Sequence, residues 1–419
     1  MLGGFPTRDN NDMTAIFQGI KVLDLTRVVA GPLATQVLAD MGATVYKIEK
    51  PREGDDTRRM GPFVAPDKTP AGHTPESAVF LSYNRGKHSV TVDIATPEGA
   101  ALVRDLAAQC DVVVENYKVG TLARYGLDYA AIRARKPGII YCSITGFGQG
   151  GPYARRAAYD FILQGMAGPM STCGQPDGAP GAEPMRTSIP ITDIVTGLYA
   201  DIAIISALYH HRQTGEGQYI DAAMLDASVA FNGHLATAYL MTGKPPVRAG
   251  NTNPIASPSE VFACADGHLI VAAGNNGQWV SLCQVLGVPE LATEPRFATN
   301  AERCVNRNPL RETLVPLLAR YRRADLLARL EKAGVPCGPI NSMDDVFADP
   351  QTQHRGLAIT LPHASGADVT VVRSPLQFSQ TPVEHRAPPL LGGQTREVLA
   401  RELGLTAEQI EGLVQRGVL

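Results

Sequence analysis

The sequence predicts an α/β fold in which a mostly parallel sheet, covered on both faces, is joined by a smaller α+β module. Three observations carry this. Across the first 150 residues, short β-branched runs alternate with helix-period segments, the pattern of a parallel sheet with crossover helices. Gly and Pro punctuate each switch between the two periods. After a stretch rich in Gly, Pro, Asn and Ser at 243–260, the order of elements changes.

The elements follow in order. KVLDLTR (21–27) reads as a strand, AGP (30–32) breaks it, and Pro32 suits the first turn of the helix LATQVLADMG that ends at Gly42. ATVYKIEK (43–50) and HSVTVDI (88–94) are further strands. TPEGAALVRDLAAQC is a helix with Thr96 as its cap and Pro97 at its first position. DVVVENY (111–117) and GIIYCSITGF (138–147) add two strands. A long helix is expected from Asp193 to His211, broken by TGEGQ (214–218), and YIDAAML (219–225) leads toward a helical stretch near 226–242. Beyond 260, HLIVAAG (268–274) is a strand, 276–287 and 308–334 look helical, and VPCGPINS (335–342) is a Pro/Gly-rich crossing. DVTVVRS (368–374) is strand-like, and the last helix opens at Thr406 with Gln409 three residues on, a capping box.

At 419 residues the chain is long enough for two or three domains. A net charge of −3 gives no reason to expect nucleic acid as a partner, and the pairs Arg155–Arg156 and Arg322–Arg323 read as solvated surface. Seven cysteines without a CxxC argue against a disulfide framework or a structural metal site, and for a reducing cytoplasm. Residues 1–17 hold no continuous apolar run and are expected to be loosely ordered. The apolar stretch Ile194–Leu208 contains Asp201 and is too short to span a bilayer, so no membrane role is expected.

Two regions could carry chemistry. The turn Val28-Val29-Ala30-Gly31-Pro32 joins a strand to a helix, where backbone N–H groups can hold a phosphate, and Glu49 ends the next strand, where a dinucleotide-binding fold places its ribose carboxylate. The GxGxxG fingerprint is absent there, which counts against a nicotinamide-dependent dehydrogenase. The second region is Asp193, just before an apolar helical segment. A carboxylate there reads first as an N-cap, a role compatible with that of a nucleophile that is ionised at neutral pH without a base. Tyr159-Asp160 is a further candidate pair, Asp160 as a ligand-orienting group or a cap for the helix after it.

Ordered motifs along residues 18–419 then resemble one family. They are VLDLTRVVAGPLATQVLADMGATVYKIEKPREGDDTR, YNRGKHSVTVDI, VVENYKVGTLARYGLDY, SITGFGQGGPY, AYD, the segment around Asp193, TGEGQYIDAAMLDA, GVPCGPINSMDDVFADPQ and APPLLGGQT. Together they are similar to the class III (formyl-CoA transferase-like, CaiB/BaiF) coenzyme A-transferases. The resemblance implies a Rossmann-like large domain over 18–225 completed by 345–419, a linker at 226–249, a small domain at 250–340, and an interlocked homodimer. It implies transfer of CoA from an acyl-CoA donor to a carboxylic acid through an aspartyl anhydride and an aspartyl-CoA thioester, with Asp193 as nucleophile and Tyr159 and Asp160 beside it. CoA is then a substrate, no cofactor is tightly bound and no metal is needed. Its expected contacts are Val28, Val29, Ala30, Lys50, Asn84, Arg85, Lys87, Asn116, Tyr117 and Arg124.

Two departures sharpen this reading. The racemase branch of the family has a His-Asp pair where this chain has Tyr159-Asp160, and tyrosine is a poor base near neutral pH, so transfer is favoured over racemisation or isomerisation. Val29 replaces a glutamine of the formyl-CoA transferase branch, and GNTNPIASP (250–258) is less glycine-rich than that branch's loop over the nucleophile. Both argue against formate and oxalate. A succinyl-CoA-like or other dicarboxyl-CoA donor is expected, with Arg186, Asn251 or Asn253 holding the second carboxylate.

Overall fold

The computed structural model describes residues 15–64 and 75–419. The expectation for residues 1–17 therefore lies outside the described residues except at its end, where Phe17 packs against the core and its N–H donates to Met41 O.

The chain divides into two compact units. The first contains the described residues up to Pro169, Thr187–Met241 and Gln353–Leu419; the second contains Met170–Arg186 and Thr242–Thr352. The segment Met170–Arg186 was expected in the large domain. Residues 226–242 form the helices Met224–Phe231 and His234–Thr242, counted with the first unit.

The first unit is built on a six-stranded sheet: β1 (Lys21–Asp24), β2 (Thr44–Glu49), β3 (His88–Thr91), β4 (Val112–Glu115), β5 (Ile140–Thr145) and β6 (Tyr219–Ala223). Their order is β3-β2-β1-β4-β5-β6, and every pair is parallel. Successive residues alternate between the faces. Val22, Val45, Val112 and Val114 join a core with α1 (Ala30–Asp40) and the long helix Ile191–Thr214. Leu23, Tyr46 and Val113 join a second core with the helices Pro97–Ala108, Tyr129–Arg135 and Thr395–Leu403. The sheet is thus buried on both faces, as a parallel sheet must be. β6 was not expected. It is a five-residue edge strand with Ala222 and Ala223 at its end, so its alternation is too brief to separate from the helix after it.

Strand order reverses where β1 lies between β2 and β4, which opens a crevice at the carboxyl ends of these strands. The turn 25–29 that leaves β1 crosses this point and is held by buried charge. Asp24 Oδ1 accepts from Thr26 N (2.8 Å) and Thr26 Oγ1 (2.5 Å), and Asp24 Oδ2 from Thr35 Oγ1 (2.7 Å) and Lys87 Nζ (3.0 Å). Lys87 also donates to Pro32 O and Asn84 Oδ1, both at 2.9 Å. Lys47 donates to Thr26 O and pairs with Asp55, again at 2.9 Å. Gly31 has no room for a side chain, since a Cβ would lie 2.3 Å from Thr26 Cγ2. Gly197 serves the same end from the long helix, where a Cβ would fall 2.6 Å from Ala30 O.

The second unit has its own core around Phe262, Trp279, Phe297 and Leu314. β7 (Ser259–Cys264), β8 (Gly267–Ala272) and β9 (Cys337–Pro339) form an antiparallel sheet. The Arg303 guanidinium is buried and donates to the carbonyls of Ser257 (2.6 Å), Phe297 (2.9 Å) and Gly274 (2.9 Å), which fixes the end of the loop 250–258. The remaining strands, β10 (Ala358–Pro362) and β11 (Asp368–Val372), pair antiparallel in the first unit, and the chain ends in the helix Ala407–Gln415 with its expected capping box.

Removing one member of the Asp24–Lys87 pair leaves a buried charge without its partner. Lys87→Met is expected to cost about 3–5 kcal/mol in urea unfolding, and adding Asp24→Asn to recover a large part of that loss.

Candidate active site

A cavity of about 710 Å³ opens at the strand-order switch. Its wall includes Val28, Val29 and Ala30 of the first turn, Asn116 and Tyr117 after β4, Tyr159 and Asp160, and Asp193. Eight of the thirteen residues singled out from sequence thus meet in one place. Arg27, Arg59, Lys118 and Arg156 line it too.

The turn is shaped for this position. Val28 adopts φ +71°, a left-handed conformation that is rare for a β-branched residue and costs about 1–3 kcal/mol. Its N–H donates to Asp55 Oδ1 at 3.3 Å. Burial opposes charge on Asp55, but the Lys47 ammonium and the Thr57 donors outweigh it and hold this carboxyl at about 2, so the acceptor stays ionised. α1 follows without a side-chain cap, which leaves its first N–H groups for a ligand anion. On the other side, Asn116 Oδ1 accepts from Arg27 N (2.9 Å) while its Nδ2 donates to Arg27 O (2.7 Å), tying the exits of β1 and β4 together. The Arg27 guanidinium lies over the Tyr117 ring, 5.3 Å from its centroid.

Asp193 is not an N-cap. The long helix begins at Ile191, Pro190 occupies the cap position without a side-chain bond, and Asp193 is the third helical residue. The capping acceptor comes from elsewhere in the chain: Asp160 Oδ1 accepts from Thr192 N (2.8 Å) and Asp193 N (3.4 Å). Asp160 itself is the first residue of the helix Asp160–Met166, with Tyr159 at the cap and exposed to 68%. Asp160 therefore does not cap its own helix as expected, but caps the one that carries Asp193.

The charge state of Asp193 also departs from expectation. Burial, and then the negative charge of Asp160, push its carboxyl up to about 7. A carboxylate that is fully ionised in water is here poised near neutrality.

The remaining sequence candidates lie elsewhere. Arg85 is buried and pairs with Asp40 through Nε (3.0 Å) and Nη2 (2.6 Å), Lys87 is buried on Asp24, and Asn84 donates to Phe80 O (3.0 Å). Their hydrogen-bonding capacity is engaged inside the protein, so the structure gives them a scaffolding role in place of phosphate contact. Lys50 pairs with Glu53 on the wall of a smaller cavity of about 230 Å³ that adjoins the first, since Arg27, Asp56 and Tyr117 line both. Arg124 is exposed on the turn Leu122–Tyr125 and lines neither cavity. Glu49, the expected ribose ligand of a dehydrogenase, accepts from Arg58 Nε (2.7 Å), Arg58 Nη2 (2.8 Å), Ser89 Oγ (2.6 Å) and Asp55 N (2.9 Å). No lone pair of that carboxylate is left for a ribose. Sequence reasoning missed the cavity arginines. Arg156, read as surface, lies against the rings of Tyr153 and Phe147 at 4.5 and 5.5 Å, and only this aromatic flank in the sequence could have marked it. Arg186, Asn251 and Asn253 belong to the second unit, where Asn253 Oδ1 accepts from Ile255 N (3.0 Å).

The raised Asp193 carboxyl has a consequence for stability. The folded protein binds its proton more tightly than the unfolded chain does, so stability is lost as pH rises from about 4 through about 7. Asp193→Asn removes this penalty. The variant is expected to melt a few degrees above the parent at pH 8, on the order of 1–3 kcal/mol, with the difference vanishing below pH 4.

Comparison with known proteins agrees with this arrangement. The profile of CoA-transferase family III matches residues 17–395. A succinate–glutarate CoA-transferase of Agrobacterium fabrum is 47% identical over 384 residues, 91% of this chain and 94% of the relative. The succinyl-CoA:glutarate CoA-transferase of Mus musculus is 41% identical over 417 residues, 99% of this chain and 93% of the relative. The crystal structure of a CAIB/BAIF family protein from Brucella suis superposes with a TM-score of 0.83 at 45% identity, covering 93% of this chain and 99% of that one. A parallel sheet with its crevice at the β1/β4 switch, an aspartate on the crevice wall, and a family match over nearly the whole length place this chain in CoA-transferase family III, the enzymes that move CoA from an acyl-CoA to a carboxylic acid.

Proposed function

We propose that this enzyme exchanges CoA between dicarboxylic acids, with Asp193 as the covalent carrier. The observation that carries the reading is the placement of the Asp193 carboxyl in the same cavity as the uncapped start of α1. An Asp193 oxygen attacks the donor thioester carbonyl, and the N–H groups of Val29 and Ala30 at the uncapped start of α1 are placed to donate to the oxyanion. The C–S bond breaks, leaving an acyl–aspartyl anhydride and CoA thiolate. The thiolate attacks the aspartyl carbonyl, the donor acid leaves as carboxylate, and CoA remains on Asp193 as a thioester. The acceptor carboxylate attacks this thioester and releases the thiolate. The thiolate then attacks the acceptor's acyl carbon, giving the new acyl-CoA and restoring the Asp193 carboxylate. No net proton is taken up. Water would hydrolyse either intermediate, so the chemistry requires that water be kept from them.

Dicarboxylic substrates of the succinate and glutarate size are favoured by the names of the relatives and by the cations of the cavity. Arg27 and Arg59 both pair with Asp56 at 3.1 Å, whereas Arg156 rests on aromatic rings, and these side chains are suited to the CoA phosphates or a distal carboxylate. Racemisation lacks a base of the required kind at exposed Tyr159. A homodimer in the cytoplasm is part of the proposal. Leu198, Tyr199, Ile202 and Tyr209 of the long helix are 45–66% exposed, an apolar flank that a second copy would cover. The same helix is long and apolar enough to cross a membrane, with half of its apolar window already buried inside the fold.

Mixing succinyl-CoA with glutarate is expected to yield glutaryl-CoA. Hydroxylamine added during turnover is expected to leave a hydroxamate on Asp193, detectable by peptide mass spectrometry, and Asp193→Ala to abolish both signals. Normal exchange by Asp193→Ala would sink the covalent route. Attack needs the ionised carboxylate, so kcat/KM is expected to fall as pH drops through about 7, approaching tenfold per unit below it.

A further inference from the structure

The backbone that presents Asp193 is held from one side chain that neither the family resemblance nor the chemistry above assigns. Gln164 is fully buried one turn after Asp160 on the same helix. Its Nε2 donates to Asp160 Oδ2 at 2.7 Å and reaches Ile189 O at 3.4 Å. Its Oε1 accepts from Thr187 N at 3.0 Å and Thr187 Oγ1 at 3.4 Å. Thr187 and Ile189 belong to the segment that runs directly into the nucleophile's helix. One amide therefore grips the entry segment at 187–189 and, through Asp160, the helix start at 192–193.

The orientation of the amide follows from its partners. The Thr187 N–H can only donate, so the carbonyl end of Gln164 faces it and the NH2 end faces Asp160. Asp160 then meets donors only: an amide on one oxygen and two backbone N–H groups on the other. These three donors fix the direction of the Asp160 carboxyl plane. Held this way, Asp160 lies beside Asp193, whose carboxyl its charge helps to raise after burial. The titratable neighbours facing Asp193 are Asp160 and Tyr83 of the helix Ala78–Tyr83, while the turn 28–30 presents none. Converting Asp193 to an anhydride or thioester removes one of two adjacent negative charges, which favours the covalent state.

We propose that Gln164 is a positioning residue for the covalent step: by bridging Thr187 and Asp160 it fixes both the backbone that carries Asp193 and the orientation of the carboxyl beside it. The proposal rests on Asp193 being the nucleophile.

The test uses the full-length enzyme with Gln164→Leu, which removes both ends of the bridge, and Gln164→Glu, which keeps the shape and places a carboxyl against Asp160. Folded fraction is checked by thermal melting, and kcat is expressed per folded molecule. Gln164→Leu is expected to lower kcat on the order of 100-fold, with KM for the acyl-CoA held within about threefold. Gln164→Glu is expected to retain more of kcat than Gln164→Leu, since a buried carboxyl so close to Asp160 keeps a proton and can still donate to it. A loss of activity that only tracks the folded fraction, or a Gln164→Glu variant no more active than Gln164→Leu, would overturn the role. Hydroxylamine separates the two layers. No hydroxamate on Asp193 in the parent would sink the nucleophile and this proposal together. A parent hydroxamate with normal kinetics in both variants would sink the positioning role alone.

Discussion

The buried pair of Asp24 and Lys87 is the constraint on which the crevice depends. Two charges removed from water at the end of β1 are costly unless every lone pair and proton finds a partner. Here both carboxylate oxygens accept two bonds each, and the ammonium meets a carboxylate, an amide oxygen and a helical carbonyl. The saturated network fixes the path of the turn, and Lys47 ties it through Thr26 O to Asp55, which in turn holds the N–H of strained Val28. Gly31 then lets the turn close against Thr26, and Gly197 lets the long helix approach Ala30 at backbone distance. The placement of the Asp193 carboxyl relative to the N–H donors of α1 is thus a product of electrostatics and of two absent side chains.

The sequence made the layered architecture legible because period and punctuation agreed. β1 to β5, the Thr96 cap with Pro97, and the Thr406–Gln409 box all depend on local chemistry, and each lies where that chemistry puts it. Edge strand β6 escaped because five residues ending in two alanines carry almost no alternation. The candidate site was readable where residues sit on the turn after β1 and the exit of β4, since a strand-order switch gathers such positions. It misled at Arg85 and Lys87. A cation in YNRGK looks the same in sequence whether it faces a phosphate or a buried aspartate, and only the partner across the fold, Asp40 or Asp24, distinguishes them.

Asp193 and Asp160 show why a cap cannot be assigned from one strand of sequence. Both carboxylates precede helices, and each was a reasonable cap for its own. Pro190 fills the cap position before Asp193 without a side-chain acceptor, and Asp160, 32 residues before Thr192, supplies the missing one. The cost is a pair of neighbouring carboxyl groups in a buried wall. Enzymes commonly retain such instability where reactivity depends on it. Here it raises the basicity of the Asp193 carboxylate, which still ionises near neutral pH.

The long helix links this chemistry to a distant surface. Its 24 residues form a rod of about 36 Å with Asp193 in the first turn and the apolar side chains Ile202 and Tyr209 farther along. A rod transmits tilt along its length. Anything packed against that greasy flank would therefore also restrain how far the Asp193 end can swing.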